Sequence, residues 1–102
     1  YEIFKKRFSD YKSFLGYIGK VGPQKWSKPY ADDLIYLLRG YDNVVGVFLS
    51  FPVDNLEVLY DIDTVLKQKA EKAGIKKFLR APLLNADDDF VEALSIIIRR
   101  RL

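Results

Sequence analysis

The chain has 102 residues, 49% of them hydrophobic, with 17 Lys and Arg against 14 Asp and Glu and a formal charge of +3. That length fits a single α/β domain over residues 1–102 and leaves no room for a second. Cys and His are both absent, which excludes a disulfide framework and ordinary zinc sites and leaves only oxygen ligands for a metal.

Residues 2 to 9 carry Ile3, Phe4 and Phe8 at helical spacing, and the run SFLGYI over 13 to 18 reads as a first strand. A loop through Gly22-Pro23 leads to a helix opened by Pro29, with Asp32 and Asp33 at its positive end, Leu34, Ile35, Leu37 and Leu38 on its apolar face, and Gly40 ending it. VVGVFLSF over 44 to 51 is a short apolar run of the kind buried in a parallel sheet. A long helix over about 54 to 73 is expected to bury Leu59, Ile62, Leu66, Ala70 and Ala73, with Gly74 as its left-handed cap. A third strand over about 77 to 83 precedes a helix opened by Asp87, Asp88 and Asp89 that packs through Phe90, Leu94, Ile97 and Ile98. The order αβαβαβα predicts right-handed crossovers and a three-layer αβα parallel sheet, flavodoxin-like in outline.

Lys and Arg are scattered among the acidic residues, and Arg99-Arg100-Arg101 sits where cations stabilise a helix end, so no nucleic-acid partner is expected. No apolar run reaches membrane-spanning length. The start Tyr1-Glu2-Ile3 carries no initiator Met and no targeting segment, and the chain reads as cut from something longer.

The most informative stretch runs from Ser50 to Asp63, where an apolar strand gives way to a helix bearing spaced carboxylates. Asp54, Glu57 and Asp61 share one face at 3.6 residues per turn, and the ladder begins at the carboxyl edge of a strand, where open α/β sheets bind ligands. Asp54 with Glu57 three positions on is also the pattern of an N-capping pair, the simpler reading of the ladder by itself. Trp26, the sole Trp, lies in the loop after Gly22-Pro23 and by itself reads as a cover for the sheet.

The Ser50 to Asp63 stretch resembles the signature of the ferrochelatase family, with Phe51, Asp54, Glu57, Leu59, Tyr60 and Asp61 in register. Gly19-Lys20-Val21-Gly22-Pro23-Gln24-Lys25-Trp26 resembles that family's loop with a Trp lining a porphyrin cleft. Ala73-Gly74-Ile75 to Arg80, Leu84-Asn85 and Asp89 to Leu94 resemble its closing strand and helix. The likeness extends over nearly the whole chain and implies the carboxyl-terminal half of such an enzyme. Two departures stand out: the family's metal-binding His precedes the point where this chain begins, and Asn55 occupies a position where the family usually has His.

The resemblance implies insertion of ferrous iron into a porphyrin in haem biosynthesis, with this chain as one wall of the cleft. Metallation removes two pyrrole protons and delivers a dehydrated divalent ion to one face of the ring. In that reading Glu57 accepts protons and contacts metal, Asp54 orients it, and Asp61 passes metal or protons. Trp26, Phe51, Asn55 and Tyr60 bind the porphyrin. Lys20, Lys25 and Lys28 stand ready to attract propionates. Ferrous iron and porphyrin are expected as substrates and no tightly bound cofactor is expected. Implied partners are the absent amino-terminal half or a second copy, with peripheral membrane association open to the parent. The compartment would be the cytoplasm in a bacterium, or a mitochondrion or plastid in a eukaryote. With its key His missing, the chain alone is expected to show weak insertion or none.

Two other classes remain. A porphyrin or haem-binding module that has lost the chemistry would bind without metallating. A receiver-like domain would need acidic residues where the first strand ends in Ile18-Gly19-Lys20, and no glycine-rich phosphate loop opens a helix.

Overall fold

A computed structural model describes all residues, 1–102. Helix α1 covers Glu2–Arg7 and α2 covers Ala31–Leu37. Strand β1 is Asn43–Gly46 and β2 is Lys77–Arg80. Between the strands a continuous helix is π-helical over Val58–Leu66 and α-helical over Lys67–Lys72, the second part being α3. Helix α4 spans Asp88–Arg99.

The two strands pair in parallel, from Asn43 opposite Lys77 to Gly46 opposite Arg80. The helical crossover between them is what a parallel pair requires. The expected first strand at 13 to 18 is not part of this sheet. Tyr17 alone makes a bridge, donating its N–H to Pro29 O at 2.9 Å and accepting from Ala31 N at 2.7 Å. β2 stops earlier than expected because Pro82, two residues past Arg80, has no N–H to continue a ladder.

The helix between the strands also departs from expectation. Thr64 Oγ1 donates to Leu59 O, five residues back, at 3.2 Å, in keeping with the wider π turn. Val58, Ile62, Leu66 and Ala70 form the buried column at a spacing of four. Leu59, expected inside, is 51% exposed. Gly74, at φ +88°, ends the helix as predicted: its N–H reaches Glu71 O and the N–H of Ile75 reaches Ala70 O, the paired bonds of a Schellman cap.

The core gathers Ile35 and Leu38 around α2, Leu66 and Ala70 from the long helix, Ile75, and Phe78 of β2. It covers one face of the sheet. On the other, Val45 is 60% and Leu79 46% exposed, and α4 buries none of its residues. The observed order is therefore α, α, β, π/α, β, α, with two layers where three were expected. A three-layer sheet needs a helix on each face, and α4 does not lie on this one.

The accessible surface is 8315 Å², against about 5,900 Å² for a compact monomer of this mass. The radius of gyration is 15.7 Å, where roughly 13 Å is usual for this length. Both excesses reflect an open arrangement of the chain, 50 × 37 × 23 Å along its principal axes.

Candidate functional site

β1 and β2 end side by side at Gly46 and Arg80, and the chain leaving β1 turns through Phe51 and Asp54 into the long helix. At that edge the Arg80 guanidinium, 17% exposed, forms a fork onto Asp63: Nε donates to Oδ1 at 2.7 Å and Nη2 to Oδ2 at 3.1 Å. Its Nη1 is buried and lies 3.1 Å from Asp54 Oδ1, close enough to attract the carboxylate but out of hydrogen-bond alignment. The hydrogen bond to Asp63 raises the Arg80 pKa; burial opposes this, and the charges of Asp63 and Asp54 add to it.

Asn85 secures Asp54 from the other side. The Asp54 N–H donates to Asn85 Oδ1 at 2.8 Å, and Asn85 Nδ2 donates to Asp54 Oδ2 at 3.0 Å. Asn85 sits at φ +49°, a left-handed conformation that Asn tolerates better than most residues. Asp54 is thus held by Arg80 and Asn85 and has no capping bond. Asn55 caps instead: its Oδ1 accepts from Val58 N at 3.0 Å.

Glu57 is half-buried, and its carboxylate has neither hydrogen-bond nor ion-pair partner in the chain. Its Oε1 lies 2.8 Å from where a Cβ would stand on Gly19, at φ +82°. A Cβ there would displace the Glu57 carboxylate and the positive φ itself favours glycine, so the loop that carries Trp26 and the helix that carries Glu57 meet there. Trp26 is partly exposed and donates Nε1–H to Val21 O at 3.0 Å, which closes its own loop. Phe51 is half-buried, whereas Tyr60 and Asp61 are exposed. Lys20 and Lys28 both lie over the Tyr30 ring, at 5.0 and 5.8 Å from its centre.

No group of three or more metal-ligating side chains converges anywhere in the chain. A surface hollow of about 400 Å³, lined by Lys5, Tyr11, Lys12 and Phe14 among others, lies away from this junction. The Arg80–Asp63 fork was not read from the sequence as a site feature. Its one signal is a charged residue at the end of a short apolar strand, KFLR, which needs a partner if it is not to be exposed.

The ferrochelatase family model matches residues 2–102. The chain belongs to the ferrochelatase family. It is 39% identical over 90 residues to the ferrochelatase of Synechococcus elongatus, a match that covers 86% of this chain and 23% of that protein. The ferrochelatase of Rippkaea orientalis is 36% identical over 90 residues, with the same coverage. That of a Prochlorococcus marinus strain is 42% identical over 86 residues, covering 82% of this chain and 22% of the relative. The chain therefore spans about a quarter of the length of the ferrochelatases it matches.

Proposed function

We propose that this chain forms one wall of a porphyrin cleft at which ferrous iron is inserted, with Glu57 accepting the pyrrole protons. The observation that carries the reading is the contrast between the two carboxylates: Asp54 is consumed by Arg80 and Asn85, whereas Glu57 is left without a partner beside an open glycine. A carboxylate with free lone pairs can take a proton from a ring nitrogen, and one locked in an ion pair is a poorer base. Asp54 accordingly orients and Glu57 reacts. Asp61, exposed one turn on, is placed to exchange metal or protons with solvent. Trp26 and Phe51 would offer flat apolar area to the ring, with Asn55 and Tyr60 as further contacts to it. The remainder of the parent enzyme would supply the facing wall.

Titrating the chain with a free-base porphyrin tests this. The fluorescence of Trp26 should quench saturably, and Trp26→Ala should weaken binding by about 1–3 kcal/mol, as for a buried aromatic anchor. Unsaturable quenching up to high micromolar porphyrin would overturn the reading. With the remainder of a related ferrochelatase supplied in trans, Glu57→Gln should abolish ferrous insertion and leave the circular dichroism spectrum unchanged. Tight porphyrin binding with no insertion under any condition selects the second reading, a silent porphyrin-binding module. One observation favours that module: Asn55, where the family usually has His, spends its side chain as a helix cap.

A further inference from the structure

Glu57 stands between two anchored residues. Asp54 precedes it and Asp63 follows it, and both carboxylates converge on the guanidinium at the end of β2. The fork therefore fastens both ends of the segment that carries Glu57 to the sheet, while Glu57 itself is held by no polar partner. A side chain without a partner takes its position from the backbone beneath it and from what it packs against, here Gly19.

We propose that Arg80 is a positioning residue for Glu57: by holding Asp54 and Asp63 together it sets residues 54–63 so that the Glu57 carboxylate rests against Gly19. The inference deepens the proton-acceptor reading and rests on it for its catalytic meaning, though its geometry is independent of porphyrin. Only a planar guanidinium can serve both carboxylates at once, because it presents two N–H groups in parallel to Asp63 and a third edge toward Asp54. A lysine ammonium is a point charge at the end of a flexible stem and would satisfy one carboxylate at a time.

The test is a nuclear Overhauser measurement on the full 102-residue chain. The unsubstituted chain should give a cross-peak between Glu57 Hγ and Gly19 Hα. Arg80→Lys should reduce it by roughly half or more, with the methyl shifts of Ile62 and Leu66 unchanged, because charge is kept but the fork is lost. Asp63→Asn preserves shape and should reduce it as well, and decides the matter if Arg80→Lys fails to fold. Asp32→Asn, which removes the exposed ion pair to Lys69 on the same helix, should leave it intact. Full intensity in both Arg80→Lys and Asp63→Asn overturns the proposal, as does an equal loss in Asp32→Asn, which would indicate general loosening. In the trans-complemented enzyme Arg80→Lys should lower kcat about tenfold with KM for porphyrin unchanged, as expected when a reacting group is misplaced. An unchanged kcat counts against the proposal. Absence of insertion in the unsubstituted complex overturns the proton-acceptor reading instead, and the Overhauser result still decides the role of Arg80.

Discussion

The two faces of the small sheet are stabilised differently. On one, Phe78 and Val44 meet Ile35, Leu38, Leu66 and Ala70, and the long helix is clamped at its start by Arg80 and at its end by a Schellman cap. On the other, Val45 and Leu79 face outward and α4 lies apart with its apolar stripe uncovered. Each face carries apolar residues, Val44 and Phe78 on one and Val45 and Leu79 on the other. The difference shows that hydrophobic patterning selects which residues prefer burial, and only a partner surface at hand determines whether burial occurs.

Substitutions on the two faces should separate them sharply. The largest effect is expected at Ile62, fully buried in the π-helical segment: Ile62→Ala should cost about 2–5 kcal/mol in urea unfolding, a cavity the helix cannot close. Asp63→Asn comes next, at about 1–2 kcal/mol, because it leaves a mostly buried guanidinium with a neutral partner. The pKa of Arg80 is raised in the folded chain, so the guanidinium's favourable contribution is fully present at every pH below its ordinary value. It is lost only as pH rises through the elevated one, beyond the range in which the chain would be assayed. A urea midpoint for an otherwise unaltered chain that fell on moving from pH 7 to 9 would argue against the clamp.

Asn55→Ala should cost about 1 kcal/mol by removing the cap on the long helix. Asn55→His trades that cap for a titratable ring and should cost a similar amount of stability, whatever it does to insertion, a comparison that thermal melts would make directly. At the small end, Ile97→Ser on the outward stripe of α4 should change stability by no more than about 0.5 kcal/mol. If it destabilises the chain as much as Asn55→Ala does, α4 packs against the core in solution and the contrast between the faces collapses.

Periodicity and local start and stop residues were enough for four helical regions and for the cap at Gly74, because these depend on local backbone preference and on an apolar stripe within a few turns. The candidate site was legible as a place: the carboxylates after an apolar run marked the junction, and the family resemblance made that stretch specific. What each carboxylate does there was not legible. Asp54 and Asn55 both fit an N-cap by residue type, and the choice of Asn55 followed from Arg80 and Asn85, residues 26 and 31 positions after Asp54 that local patterning cannot pair with it.

The sequence by itself determined the family, the four helical regions, the approximate place of the two paired strands, the absence of His and Cys ligands, and the cluster of acidic groups around residues 54 to 63. The tertiary structure alone decided that the apolar run at 13 to 18 pairs through a single bridge, that the long helix widens into a π-helix and turns Leu59 outward, and that Asp54 is held while Glu57 is left free. The physical reason is the range of the forces involved. Propensity and amphipathicity act over a few residues. Strand partnership, helical phase and ion pairing depend on which distant groups arrive beside them, and those are set only when the chain packs.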